Sequence, residues 1–317
     1  MMSETVSPKP VARAHPRDHF TPEEWARLRG VSSWKGLALV AHAWGVIGLA
    51  LWASFAFPNP IVWLLAVMVI GTRQLGLAIL MHEAAHGLLH PNKKLNDLVG
   101  EWLCAAPVGG NLAGYRDYHL SHHRFTQTDA DPDLGLSAPF PVTRQSLRRK
   151  IIRDLTGQTF LKQRLGLFAL KLKRQPAAPD GITPGAEVKV GPFLLINAVL
   201  LAGLLAMGAP LLFLVWLVAM ATWFPLATRL RNIAEHACVP SQEDPFTHAR
   251  TTKANLIERA FIAPYWVNYH AEHHLFMYLP CYRLPEAHRL LMEKGAVAKG
   301  MTVAPGYLAV LRECAPA

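Results

Sequence analysis

The residues that invite chemistry are histidines, 15 of 317, and eight of them fall into three groups. His82-Glu83-Ala84-Ala85-His86 sets two imidazoles four residues apart, on one face of a helix. His119-Leu120-Ser121-His122-His123 and His270-Ala271-Glu272-His273-His274 repeat a single spacing, H-x-x-H-H. Positions i, i+3 and i+4 share a helix face, so each of these motifs is expected to aim three nitrogens at one point. Imidazoles crowded this way repel one another if charged and leave ring nitrogens unsatisfied if neutral and unbound. Metal ligation resolves both problems. Eight ligands exceed what one tetrahedral zinc takes, so two metals with about four nitrogens each is the economical count. His15, His19, His42, His248 and His288 stand alone and read as structural. His90, one turn beyond His86, swings about 40° past the shared face and is left outside the centre. The four cysteines, Cys104, Cys238, Cys281 and Cys314, form no C-x-x-C pair and encode neither a cluster site nor a disulfide framework.

Something must hold these groups, and the charge pattern says what. The chain carries 32 Lys and Arg against 22 Asp and Glu, net +10, yet only 17% of residues are charged and the mean hydropathy is +0.18. No Asp, Glu, Lys or Arg occurs from Gly36 to Thr72 or from Val190 to Thr228. Each run is too long for one membrane helix of about 20 residues and suits two, broken at Phe57-Pro58-Asn59-Pro60 and at Gly208-Ala209-Pro210. Two transmembrane hairpins are therefore expected, over 36–81 and 190–228. The basic residues fall outside both turns, which the positive-inside rule sets away from the cytoplasm. The segments 1–35, 82–189 and 229–317 then share the cytoplasmic side, with the metal site there. The fold class expected is an all-α, multi-pass integral membrane protein with four transmembrane helices in two hairpins. A cytosolic helical cap carries the dimetal site.

Met1 to His19 reads as a disordered tail, and Thr21 with Glu24 as a capping box starting a short helix. Arg73, the one charge inside a proposed span, is expected to snorkel. From Arg144 to Arg174, ten basic residues flank apolar residues at helical spacing, with Asp154 the single acid. That pattern suits anionic lipid headgroups, and with no nucleic-acid module recognisable, nucleic acid is not an expected partner.

The boxes, their order and the interposed hairpin, from about Arg73 to Leu290 and including Asn268-Tyr269-His270-Ala271-Glu272-His273-His274-Leu275-Phe276, resemble the membrane fatty acid desaturases and related hydroxylases. The resemblance implies a four-span helical bundle and a non-haem di-iron centre, two Fe ions with O2 as co-substrate, zinc being able to substitute. It implies His82, His86, His119, His122, His123, His270, His273 and His274 as ligands, and a ninth, His236, after the fourth span, with Asn232 one turn earlier holding water or acting as a weak ligand. Two ferrous ions on neutral ligands leave positive charge for nearby acids to offset. Glu83, Glu235 and Glu272 adjoin ligands, and Asp129, Asp131 and Asp133 follow box two. The implied reaction is O2-dependent desaturation of a lipid acyl chain, with hydroxylation of a lipid or carotenoid as the alternative. Trp102, Tyr115, Tyr118, Trp266 and Tyr269 flank the boxes as tunnel walls or interfacial anchors. Electrons are expected from a separate acidic ferredoxin or b-type cytochrome. A zinc metalloprotease using His82-Glu83-x-x-His86 is the rival from another class, but it leaves both H-x-x-H-H motifs without a purpose.

Overall fold

The charge-free runs become helices, and their ends are marked by the turn residues. The computed structural model describes residues 9–173, 190–240 and 244–316, which are mostly helical. Residues 1–8 of the expected tail and 174–189 of the central segment lie outside the described residues. From residue 9 the tail is not loose as expected. Val11 N donates to Arg124 O at 3.0 Å, and His19 packs against Phe246 and Phe276 at ring separations of 5.2 and 5.9 Å. Buried Phe20 anchors this segment at a site the polar composition before it conceals.

Helix α1 (Pro22–Leu28) opens with the capping box, Glu24 N donating to Thr21 Oγ1 and Thr21 N to Glu24 Oε2. Helices α2 (Lys35–Ala56) and α3 (Pro60–Ala85) form the first hairpin, with Asn59 Oδ1 capping Val62 N at 3.1 Å. The chain continues through α4 (Leu112–Phe125), α5 (Arg144–Leu155), α6 (Gln158–Lys173), α7 (Val190–Ala206), α8 (Leu212–Ala221) and α9 (Trp223–His236) to the short α10 (His270–Leu275). Shorter helical turns join them.

Among the described residues, three helical runs are long and apolar enough to cross a membrane: α2, α3 and Leu212–His236, which is α8 and α9 broken at Thr222. The fourth apolar helix, α7, has 17 described residues, about 26 Å against a hydrocarbon core of about 30 Å. Large apolar side chains face outward on α2 (Leu49, Trp52, Phe55), α3 (Ile61, Leu64, Leu65) and α7 (Leu194, Leu195, Val199). Such a belt suits hydrocarbon. Helix α3 is the enclosed centre, buried almost continuously from Ile70 to Ala85. The fold is not wholly α: Arg250–Thr252 (β1) and Thr302–Ala304 (β2) pair in parallel, Thr251 opposite Val303, where β-branched residues brace the C-terminal segment against α9 and α10.

Arg73 does not snorkel. It is 8% exposed, its Nη2 donates to Ala260 O at 3.3 Å, and its guanidinium lies 5.4 Å from the Tyr265 ring centre. The segment before box three packs on α3 and supplies both partners, which span hydropathy cannot reveal. In the basic region, Leu147 packs inward while Ile152, Leu155, Leu161 and Leu165 remain outward among the basic residues. The lone acid, Asp154, is fully buried against Arg229, with contacts of 2.5 and 2.8 Å.

Candidate metal centre

Four helices deliver the histidines. Helix α3 brings His82 in its last turn and ends with His86 as its C-terminal cap, after which Gly87, at φ +74°, turns the chain away. Helix α4, capped by Asn111 Oδ1 on Gly114 N at 2.9 Å, buries His119, His122 and His123. His236 closes α9, and α10 carries His270, His273 and His274. The approach to α10 contains Tyr265 and Trp266 in left-handed backbone, at φ 54° and 58°. Tyr265 is accommodated because position 76 is glycine: a Cβ there would sit 2.6 Å from its ring.

The nine imidazoles gather into two groups, each with its ligand atoms within 4.8 Å of one another. His82, His86, His119, His123 and His273 form one; His122, His236, His270 and His274 form the other. The expectation that H-x-x-H-H aims three nitrogens at one point is corrected. The i,i+4 pairs, 119 with 123 and 270 with 274, stay together, and the i+3 residue crosses to the other group. Neighbouring residues differ by about 100° around a helix, so His122 and His123 face different points.

Metals fit both groups. His273 Nε2 lies 2.9 Å from the Nε2 atoms of His82 and His123, and His123 Nε2 lies 3.0 Å from that of His119. In the second group, His236 Nε2 lies 2.8 Å from His270 Nε2 and 3.2 Å from His122 Nε2, which is 3.3 Å from His274 Nε2. Neutral imidazole has one N–H, so nitrogens meeting in threes cannot all be satisfied by shared protons. A cation about 2.0–2.1 Å from each nitrogen sets neighbouring ligands about 2.8–3.4 Å apart, which spans the separations seen here, 2.8 to 3.3 Å. Burial, with crowding by the other imidazoles, holds His119, His123, His270, His273 and His274 well below the usual histidine pKa, in the neutral form a metal requires.

The far sides of several rings are fixed as well. Asp131 Oδ1 accepts from His122 Nδ1 at 2.7 Å, His236 Nδ1 donates to His248 O at 3.0 Å, and Glu235 Oε1 lies 3.3 Å from His270 Nδ1. Glu83 Oε2 accepts from Cys281 N at 2.7 Å while Oε1 lies 3.5 Å from His82 Nδ1. That places Glu83 behind the ring, away from the converging nitrogens where a protease base must stand. Glu272 does not support a ligand as expected: its carboxylate bonds Thr251 Oγ1 and His288 Nδ1. Two residues beyond His270, it points about 200° around the helix. Exposed Asp129 contacts no ligand, and Asp133 bonds Tyr118 with its Oδ2 3.8 Å from His122 Nδ1. His90 stands outside both groups, its Nδ1 accepting from Asn92 N at 2.9 Å.

A cavity of about 280 Å³ opens onto both groups through His82, His119, His122, His236 and His270. Leu75, Ile79, Phe160, Met220, Phe224 and Val267 supply apolar wall, and Asn232 lines it beside His236. Of the flanking aromatics, Tyr115 and Tyr118 line it, while Trp102, Trp266 and Tyr269 do not. Sequence reasoning missed Arg164, Arg229 and Arg231 in this wall. Only Arg231 left a signal, its i,i+4 relation to Glu235, which it meets at 2.5 Å.

Comparison with known proteins agrees with this geometry. Over 245 residues the chain is 29% identical to dihydrorhizobitoxine desaturase of Bradyrhizobium elkanii, covering 74% of this chain and 69% of that protein. It is 32% identical over 105 residues to a beta-carotene ketolase of Paracoccus sp. (strain PC1), covering 32% of this chain and 40% of the ketolase. A second Paracoccus ketolase (strain N81106 / MBIC 01143) is 29% identical over 110 residues, with 42% of its length covered. The fatty acid desaturase family model matches residues 58–303, which takes in every histidine of both groups, and the chain belongs to that family.

Proposed function

We propose that the protein is an O2-dependent di-iron oxidoreductase that introduces a double bond into a lipid acyl chain. The observation that carries this is the shared cavity: an apolar-walled space ending on two imidazole groups, each with the nitrogens for one metal. His82, His86, His119, His123 and His273 would hold one iron, and His122, His236, His270 and His274 the other. Two irons bound there supply the activation of O2 needed to remove hydrogen from an unactivated C–H bond. The chain's own residues do the rest. Leu75, Ile79, Phe224 and Val267 exclude water and guide the hydrocarbon. The second group has one histidine fewer, and Asn232, which lines the cavity with His236, would hold a water or a polar substrate atom there. Asp131 and the His248 carbonyl fix the tautomers of His122 and His236 so that Nε2 faces the metal.

The metal site lies on the cytoplasmic side in this reading, and a separate acidic ferredoxin or b-type cytochrome supplies electrons to the basic face. Oxygen insertion is the second reading, favoured by the two ketolase relatives. Lipid mass spectrometry of cells with and without the protein tests both. Products lacking two hydrogens, formed only with O2 and lost in His123→Ala, support desaturation. Products gaining one oxygen support the hydroxylase reading. Peptide cleavage with no lipid change overturns both.

A further inference from the structure

Three arginines line the cavity, and two are neutralised. Arg229 is held by Asp154 at 2.5 and 2.8 Å, and Arg231 by Glu235 at 2.5 Å. Arg164 pairs with no carboxylate among the described residues. Its Nη2 donates to Val108 O at 3.0 Å, and its guanidinium lies 5.1 Å from the ring centres of both Phe160 and Phe193. The group is thus steered by aromatic rings and one carbonyl, with donors to spare. It also sits hard against the loop before α4. A Cβ at Gly109, where φ is +82°, would come within 2.5 Å of Arg164 Nη1, so only glycine lets the guanidinium close onto this loop.

Two residues further on, Asn111 lines the same cavity and is 9% exposed. Its Oδ1 is committed to capping Gly114 N at 2.9 Å, and its Nδ2 is buried without a hydrogen-bond partner. A half-buried cation with no carboxylate partner and an unused buried N–H on one wall each carry a cost alone. One planar anion satisfies both.

Resting on the reading of this cavity as the substrate site, we propose that Arg164 and Asn111 seat the carboxylate of the substrate. The substrate class is then an amphiphile with one anionic end, its apolar part lying along the cavity toward the histidines. A guanidinium edge with one amide N–H matches a carboxylate, whereas a thioester carrier with several phosphates needs more free cations than the described residues of the cavity wall offer. A neutral hydrocarbon leaves both groups unsatisfied. Fixing one end sets the distance at which the chain meets the metals, so the seat selects which carbon reacts.

The test measures equilibrium binding of radiolabelled decanoate and decan-1-ol to the metal-loaded protein in nanodiscs of neutral phosphatidylcholine. Arg164→Gln should weaken decanoate by roughly ten- to a hundred-fold and leave decanol unchanged, with partial recovery in Arg164→Lys. Asn111→Asp keeps the cap oxygen and replaces the donor with an anion, so it should weaken decanoate at unchanged metal content. Binding of soluble dihexanoyl phosphatidylglycerol to the same nanodiscs should be equal for wild type and Arg164→Gln. Equal decanoate affinity in wild type and Arg164→Gln overturns the seat, as does parallel loss of decanol. Weaker phosphatidylglycerol binding by Arg164→Gln with unchanged decanoate binding overturns the seat and assigns the charge to lipid headgroups instead. Binding needs no turnover, so failure here is separate from failure of the oxidation reading, which product mass decides.

Discussion

Asp131 is the support whose removal the geometry specifies most completely. Its Oδ1 accepts from His122 Nδ1 at 2.7 Å and Asp133 N at 2.8 Å, and its Oδ2 accepts from Gln127 N at 2.7 Å. All three neighbours are donors, and Asp131 is 5% exposed, so water does not substitute. Asn matches the shape of Asp but offers one acceptor oxygen, which forces its NH2 against an N–H whichever way the amide is placed. The charge that strengthens His122 as a ligand is also lost. One charge-assisted hydrogen bond is worth about 1.5–3 kcal/mol, so metal in the second group should be held about ten- to a hundred-fold less tightly. The assay is metal content by mass spectrometry during a chelator titration, with thermal unfolding run alongside. Asp131→Asn should fold, retain the metal of the five-histidine group and release the other at lower chelator concentration. Two metals with wild-type chelator resistance would refute the reasoning. Equal loss of both would show that Asp131 supports the fold of the loop rather than one ligand.

His236→Ala should insert normally but lose one metal and turnover, since it removes one of four nitrogens and leaves the five-histidine group whole; full occupancy would remove it from the centre. Asn232→Ala should keep both metals and turn over slowly, and unchanged turnover would deny it a part in the chemistry. Metal-free protein should lose thermal stability as pH falls below about 6.5. There the unfolded imidazoles take up protons while the buried His119, His123, His270, His273 and His274, held lower, do not, at up to about 1.4 kcal/mol per group per pH unit. A melting temperature flat from about pH 7.5 to about pH 5.5 contradicts this. Cysteine labelling at Asn59 and Ala209 should report the face opposite to Gln145 and Glu286. Labelling of Asn59 and Gln145 from one side defeats the two-hairpin topology.

What the sequence disclosed depended on whether a signal was local. The capping box at Thr21, the break at Phe57-Pro58-Asn59-Pro60 and the i,i+4 histidine pairs are short-range, and the helices start, end and pair where those signals say. Asp131 was legible because it follows His122 closely enough to fold back on it. Glu272 was just as close and misread, because proximity along the chain is not proximity around a helix. Arg73 and Arg164 depend on partners far off in the chain, Ala260 and Tyr265 for one and Val108 and Phe193 for the other, and no periodicity encodes those meetings. The division of the histidines falls between these cases. A face drawn with positions i, i+3 and i+4 is about 100° wide, which is coarse enough to hide two destinations. Only when α10 and the end of α9 close over α4 do His122 and His274 meet His236 and His270, while His123 and His273 turn back to α3. The adjacent pairs, 122 with 123 and 273 with 274, each supply both groups through one peptide bond. The separation of the two imidazole groups is thus tied to helix geometry at both pairs, and a shift of either helix would move both groups together.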